Sequence, residues 1–239
     1  FVVGEVALDN PGLVKAIHND GHEIASHSWD HRRIIVHTPG SFRQDVTTSK
    51  DALEQITGEV VIGYRAPTFS VVRGTAWALD ELADAGFLYD SSIYPVKHDR
   101  YGISDAPRSP FIARGERSTI LEIPPLTGKV MHYNLPAAGG GYFRLFPLWF
   151  MNWAIRQSQT HCRPAVAMLY FHPWEFDPGQ DRLPLGFLSA WRTYVGIRHS
   201  RARFATLLSR YQFTRAKDVV EELQIESEIL AMPAMRMAA

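Results

Sequence analysis

The chain has 239 residues, which is long enough for one domain with a full hydrophobic core. Its 25 Lys and Arg residues balance 25 Asp and Glu residues, so the zero formal charge gives no reason to expect a polyanionic partner such as nucleic acid. The single cysteine, Cys162, excludes an internal disulfide framework and a cysteine-based zinc site, and no apolar run is long enough for a membrane span.

Helical and strand patterns alternate along the chain. Apolar spacing and end signals predict helices over residues 11–19, 41–57, 75–85, 147–159, 186–195, 201–210 and 216–223. Short apolar runs predict strands over residues 23–27, 60–64, 87–89, 120–123 and 165–171. Residues 93–118 and the surroundings of residues 139–141 are expected to be irregular. This alternation predicts an α/β fold in which helices cover a parallel sheet.

Four polar residues lie at the ends of predicted strands or directly after them. They are His27, Arg65, Asp90 and His172. In parallel α/β barrels the carboxyl ends of the strands face one mouth, where active sites lie, so we expect these four side chains to converge. Taken singly, each also has a structural explanation, such as a surface ion pair, a turn cap or a hydrogen-bonded histidine.

Two pairs of histidines have a four-residue spacing, which allows both rings to bind one metal ion. His18 and His22 are separated by Gly21, which ends the predicted helix, so we expect this pair to be structural. His27 lies at a strand end, and His31 follows one turn later. From these residues alone, His27 and His31 are candidate metal ligands, and the alternative is a polar turn with surface histidines.

Several longer motifs carry a family resemblance. They are His27-Ser28-x-x-His31, Arg65-Ala66-Pro67, residues 89–95, residues 139–144 and residues 170–178. With these motifs the chain resembles polysaccharide deacetylases of the NodB homology group, relatives of carbohydrate esterase family 4. It is most similar to the branch associated with bacterial exopolysaccharide gene clusters and exosortase (PEP-CTERM) systems. The resemblance covers nearly the whole chain.

The resemblance implies a distorted, incomplete (β/α)7 TIM-like barrel that forms a single domain over residues 1–239, with a helical extension over residues 186–239. The implied reaction removes the N-acetyl group from N-acetylated sugars in a bacterial polysaccharide, with zinc as the expected cofactor. No partner other than this polymer is indicated.

The resemblance also implies roles for single residues. His27 and His31 would bind the metal, Arg65 would orient the catalytic base, and His172 would be the general acid. Asp90, Trp174 and Tyr142 would contact the substrate. Glu175 could hydrogen-bond the His172 ring or cap a helix, and we favour a structural role for it.

One family motif is absent. The paired aspartates that supply the base and the third metal ligand in the family lie before the position that matches Phe1. We therefore expect an N-terminally truncated fragment of an active enzyme, without its first strand and inactive by itself. Two alternatives stay open. One is a metal-free carbohydrate-binding or inactive homologue that stacks sugars on Trp29, Trp174 and Tyr142; the other is a zinc hydrolase acting on non-sugar amides.

Overall fold

The computed structural model describes residues 1–225 and 234–237. The chain forms two compact units. The first unit comprises Phe1–Pro124 and Thr214–Ala239, and the second comprises Pro125–Phe213. The expectation of one domain with a helical extension stays a prediction, and each unit is described by itself below.

The helices are, in chain order, α1 Gly4–Asp9, α2 Pro11–Asn19, α3 Pro39–Thr57, α4 Trp77–Asp84, α5 Gly140–Leu145, α6 Leu148–His161, α7 Phe187–Tyr194, α8 Ile197–Arg210 and α9 Ala216–Ile225. Short 3-10 helices cover Ile34–Val36, Pro67–Phe69, Arg73–Thr75 and Pro173–Phe176. The strands are β1 Gly63–Tyr64, β2 Tyr89–Asp90, β3 Phe111–Arg114, β4 Thr119–Glu122, β5 Thr127–Val130, β6 Tyr133–Pro136 and β7 Ala234–Arg236.

The first unit contains an open sheet with the strand order β1-β2-β4-β3-β7. Strands β1, β2 and β4 are parallel, β3 pairs antiparallel with β4, and β7 pairs parallel with β3. Two isolated parallel bridges extend the β1 edge. One joins Val2 to Ser26, and the other joins Ser26 to Tyr64.

The parallel segments are aligned at one level of the sheet. The residues in register there are Val2, Ser26, Tyr64, Asp90 and Glu122. Parallel neighbours run in the same direction, so His27, Arg65 and Ser91 lie one residue further along at the same edge. This alignment places two of the predicted site residues beside each other, and Asp90 one residue before them.

Helix α3 packs the first unit together. Pro39 occupies its first turn, Thr38 and Ser41 form a capping box, and Gly58 ends it with a left-handed φ of 75°. The predicted cap Ser41 is thus two residues inside the helix, because Thr38 accepts the backbone bond instead. The α3 residues Phe42 and Leu53 are fully buried in the core of this unit.

Several predicted elements are wrong in type or extent. Strand β3 lies within the predicted loop over residues 93–118, because Phe111 and Ala113 alternate inward and pair with β4. Helix α5 begins at Gly140, where irregular structure was expected. The predicted strands over residues 23–27 and 165–171 are reduced to isolated bridges, at Ser26 and at Met168 and Tyr170.

The second unit combines the antiparallel β5–β6 hairpin with helices α5, α6, α7 and α8. Phe143, Met151 and Leu207 form its buried cluster, against which Phe171 and Phe204 pack. Within the described ranges, no helix has the length and apolar character that crossing a membrane requires.

Candidate active site

The turn that carries His27 and His31 is conformationally strained. Ser28 and His31 adopt left-handed φ values of 66° and 62°, which cost non-glycine residues about 1–3 kcal/mol when held against their preference. Two contacts hold the turn. The Ser28 hydroxyl lies 2.6 Å from the Tyr64 hydroxyl, and the backbone N–H of Trp29 donates to Asp45 over 3.1 Å. The two imidazole rings are consequently fixed edge to face, with centroids 5.0 Å apart.

The tautomer of His27 follows from its hydrogen bond. Its Nδ1 lies 2.6 Å from the backbone carbonyl of Arg65. A carbonyl only accepts, so Nδ1 carries the proton. Burial lowers the pKa of His27 to about 3, so the ring is neutral and Nε2 keeps its lone pair. A neutral ring anchored through one nitrogen to a backbone carbonyl is the usual state of a metal-binding histidine.

No third potential ligand joins His27 and His31 within the described residues. The three-ligand group found there is a neighbouring one, formed by Asp30, His37 and Asp45, whose ligand atoms lie within 4.8 Å of one another. This group could hold a metal ion. Asp30 pairs with Arg32, and Asp45 Oδ1 accepts from Trp29, whereas the buried atoms Asp45 Oδ2 and His37 Nε2 have no hydrogen-bond partner among the described residues.

Arg65 is buried and held by the segment that follows β2. Its Nε donates to the Ser91 carbonyl over 3.0 Å, and its Nη2 donates to the Ser91 hydroxyl over 2.7 Å. The next residue, Ala66, donates its backbone N–H to the Ser92 hydroxyl over 2.7 Å. The two serines therefore fix the Arg65-Ala66-Pro67 turn.

Asp90 is fully buried beside Glu122. Its Oδ1 accepts from the Ser91 backbone N–H over 2.8 Å and from the Ser92 hydroxyl. Burial raises the pKa of Asp90 to about 6, and burial together with the charge of Asp90 raises the pKa of Glu122 well above its usual value. The described contacts of Asp90 thus organise the serines that hold Arg65. Its contact with substrate stays a prediction.

In the second unit, His172 belongs to a hydrogen-bonded chain of side chains. Its Nδ1 lies 2.7 Å from Glu175 Oε1, and Glu175 Oε2 accepts from Arg144 Nε over 2.9 Å. Arg144 Nη1 in turn donates to the carbonyls of Thr193 and Val195 over 2.6 and 3.0 Å. Glu175 and Arg144 are buried, whereas the side chain of His172 is 47% exposed.

The charge state of Glu175 follows from these partners. Burial favours its neutral form, but the hydrogen bonds from His172 and the charge of Arg144 outweigh burial and lower the pKa of Glu175. An ionised carboxylate accepts hydrogen bonds, so it keeps the proton of His172 on Nδ1. Glu175 therefore combines the two functions considered from the sequence, since it also caps the 3-10 helix Pro173–Phe176.

Trp174 and Tyr142 lie in the same unit as His172. The Trp174 ring stacks on the His172 ring with a centroid distance of 5.6 Å and an interplanar angle of 23°. Tyr142 is half-buried and stacks on Phe146. Their roles in substrate binding stay predictions.

The structure therefore brings His27, Arg65 and Asp90 to one edge of the first unit and places His172 in the second. His18 lies in the last turn of α2 and His22 follows Gly21, whose φ is 86°. Ser91, Ser92 and Arg144 lay within motifs quoted from the sequence, but their contacts with Arg65 and Glu175 were not predicted. The pairing of Ser91-Ser92 after Asp90 was an available signal, because short hydroxyl side chains after a strand commonly bond to neighbouring backbone.

Two family models match this chain. Residues 1–87 match the family described as polysaccharide deacetylase, and residues 91–221 match a domain of unknown function, DUF3473.

Curated relatives match over shorter ranges. Peptidoglycan-N-acetylglucosamine deacetylase PgdA from Listeria monocytogenes is 36% identical over 77 residues, which is 32% of this chain and 16% of the relative. An uncharacterized 30.6 kDa protein from Geobacillus stearothermophilus is 26% identical over 81 residues, which is 34% of this chain and 31% of that protein. The chain thus spans about a sixth of the length of the Listeria relative.

A solved structure extends the likeness to the fold. A Mycobacterium smegmatis protein assigned as a polysaccharide deacetylase aligns with 95% of this chain and 71% of its own, with a TM-score of 0.55 and 20% identity. This likeness shows that the chain has the α/β fold of that protein. The DUF3473 match covers more than half of the chain, so the chain belongs to the family that carries this domain, and residues 1–87 match the polysaccharide deacetylase family.

Proposed function

We propose that this protein is a metal-dependent deacetylase that removes N-acetyl groups from the amino sugars of a bacterial exopolysaccharide. The observation that carries the proposal is the state of His27. Its Nδ1 proton is donated to the Arg65 carbonyl, and its neutral ring lies next to the ring of His31. A metal-binding histidine needs this combination, because its free nitrogen must keep a lone pair while the other nitrogen is anchored.

We assign the metal to His27 and His31, and zinc is the ion that suits two imidazole ligands with further oxygen donors. When bound, zinc supplies Lewis acidity that polarises an amide carbonyl and activates a water molecule. The strained turn at Ser28 and His31 holds the two histidine rings in place before any ion binds. Metal binding therefore costs little side-chain conformational entropy.

His172 is the proposed proton donor. Because Glu175 holds the proton of Nδ1, Nε2 is the nitrogen that gains and releases a second proton. A protonated Nε2 can donate to the sugar amine as the amide C–N bond breaks, since an amine anion is too basic to leave unprotonated. Glu175 and Arg144 act as positioning residues for this step.

The substrate class rests on the relatives. The Listeria relative is named for N-acetylglucosamine in peptidoglycan. We propose the same chemical group for this chain, in a polymer. Trp174, stacked on His172, offers an aromatic face against which a sugar ring can pack next to the proton donor.

The test is acetate release by the full-length protein from N-acetylglucosamine oligomers, with and without added zinc. Zinc-dependent release that His27→Ala abolishes is expected. Release from acetylated peptides in place of sugars would favour an amide hydrolase of another class. Sugar binding without any acetate release would favour a carbohydrate-binding protein.

A further inference from the structure

The zero net charge of the chain conceals a separation of charge between the two units. Residues 125–213, the second unit, contain ten Lys and Arg side chains against three acidic ones, for a formal charge of +7. The remaining residues contain 15 against 22, for a formal charge of −7. Charge asymmetry of this size indicates a partner of the opposite sign for the basic part.

The two units also differ in how their arginines are partnered. Exposed arginines of the first unit, such as Arg32, Arg43, Arg73 and Arg215, pair with carboxylates. In the second unit, within the part of the chain that the structure describes, the arginine paired with a carboxylate is the buried Arg144. No exposed arginine of this unit therefore forms an ion pair with a carboxylate of residues 1–225 or 234–237.

Two of the exposed arginines of the second unit, Arg182 and Arg198, line one cavity. Residues 182–213 contain six arginines and no acidic residue. A cavity of about 340 Å³ is lined by Arg182, Arg198, His199, Tyr194 and Gln180, with Asp177 as its acidic member. An adjoining cavity of about 360 Å³ shares His199 and is lined further by Arg203. We name the first of these the arginine cavity.

Helix α8 adds to the positive potential of the arginine cavity. The helix begins beside it, with Gly196 as N-cap, so no side chain neutralises its first backbone N–H groups, and its first turn contains no acidic residue. The dipole of a helix places partial positive charge at this end. The direct positive charge comes from the side chains of Arg182 and Arg198, which are both exposed.

Aromatic side chains accompany the arginines. The guanidinium of Arg182 lies 4.8 Å from the centre of the Tyr194 ring. Helix α7 buries none of its residues, and Phe187 and Trp191 on it are 84% and 51% exposed. Guanidinium groups bind carboxylates through paired hydrogen bonds, and exposed aromatic rings pack against the apolar faces of sugars. Sugar acids present both features in one residue.

We infer that the arginine cavity binds the carboxylates of an acidic polysaccharide, so that the polymer carries uronic acid as well as N-acetylated sugars. The N-acetylated part of this inference rests on the proposed function. The binding of the acidic sugar depends on the second unit alone. A nucleic acid also combines negative charge with stacking surfaces, so it is the competitor that the experiment must exclude.

The experiment measures binding by calorimetry to three probes at fixed salt. They are an oligomer that alternates N-acetylglucosamine with glucuronate, a neutral N-acetylglucosamine oligomer and single-stranded DNA. The double variant R182Q/R198Q removes two exposed charges at the cavity. R156Q/R210Q removes two exposed arginine charges that do not line it. Circular dichroism confirms that both variants fold.

The parent protein should bind the acidic oligomer at least tenfold more tightly than the neutral one. R182Q/R198Q should weaken binding of the acidic oligomer about 5- to 30-fold, as expected for the loss of two partly exposed ion pairs, and R156Q/R210Q should weaken it less than about twofold. Equal binding of the two oligomers, or equal losses in both variants, would overturn the inference. So would DNA binding that is tighter than glycan binding and lost in R182Q/R198Q.

Acetate release by the full-length protein, measured separately on the neutral oligomer, distinguishes this inference from the proposed function. Binding of the acidic oligomer without any acetate release contradicts only the proposed function. Acetate release without preference for the acidic oligomer contradicts only the inference about the cavity.

Discussion

Glu175 accepts two hydrogen bonds from the same residue, His172. Its Oε1 lies 2.7 Å from the ring Nδ1 and 3.0 Å from the backbone nitrogen of His172. The carboxylate thus fixes both the backbone and the ring of the histidine three positions before it. The Nε2 side of the His172 ring consequently stays accessible, while the buried Glu175 carboxylate fixes the orientation of the ring.

In the full-length protein, we expect His172→Ala to lower kcat for N-acetyl amide hydrolysis by about 10²–10⁴-fold, the usual effect of removing a positioned proton donor. An O-acetyl ester should be affected less, because an alkoxide leaving group requires protonation less than an amine does. Steady-state kinetics on matched amide and ester substrates measure both effects.

The metal content and melting temperature of His172→Ala should stay close to those of the parent, because the ring is half exposed. If the variant retains full amide activity, or loses activity only through unfolding, His172 is a structural residue.

Arg144→Leu should destabilise the protein by about 3–5 kcal/mol, because it leaves the Glu175 carboxylate buried without its guanidinium partner. The carbonyls of Thr193 and Val195 lose a donor as well. Urea denaturation followed by tryptophan fluorescence measures the change. Arg156→Leu, an exposed arginine on α6, is the control and should change stability by less than about 0.5 kcal/mol. Similar losses in the two variants would show that the buried pair has no special importance.

The zinc content of three histidine variants should show which histidine binds the metal. His27→Ala should lose the bound zinc, whereas His18→Ala should retain it, because His18 lies in the last turn of α2 away from any group of three candidate ligands in the described residues. His37→Ala tests the neighbouring Asp30, His37 and Asp45 group. Elemental analysis of the full-length variants after dialysis against zinc is the measurement. Loss in His37→Ala and retention in His27→Ala would move the metal to the neighbouring group.

Asp90 should make stability depend on pH. Its pKa is raised by burial from 3.8 to about 6, so the folded state binds more protons than the unfolded state between these values. The stabilisation is fully present below about pH 4 and is lost as the pH rises through 6, with an upper limit of about 3 kcal/mol.

Asp90→Asn keeps the Oδ1 acceptor without the charge. It should therefore gain stability relative to the parent as the pH rises from 5 to 7, measured by urea denaturation at each pH. Asp9→Asn, an exposed position, serves as control and should follow the parent throughout. If the free energies of unfolding of Asp90→Asn and the parent change equally with pH, Asp90 is not the titrating group.

The sequence predicted the parts of this molecule that depend on local signals. Gly58 marked the end of α3, and Ser41 marked its start to within two residues. His27 and Arg65 were expected side by side because strand ends coincide in parallel sheets. Strand β3 was missed because its pairing with β4 is a tertiary contact, while its neighbourhood is rich in proline and charge.

Long-range pairings account for the remaining gaps. Arg144 gives no sign in sequence that it will meet Glu175, 31 residues further on. The charge separation between the units was visible in the residue counts, but only once the boundaries at residues 125 and 213 were known. In the whole chain, the opposite formal charges of the two units sum to zero.

The hydrogen bonds of Arg144 have a consequence for local opening. One guanidinium connects the carboxylate of Glu175 with the carbonyls of Thr193 and Val195, two segments almost 20 residues apart. If either segment opens locally, the buried Arg144 guanidinium loses hydrogen-bond partners. The two segments should therefore open together as one cooperative unit. Their amide protons should then exchange with solvent deuterium at a common rate. Any occupant of the cavity beside Val195 should slow exchange around His172 as well, even without contacting it.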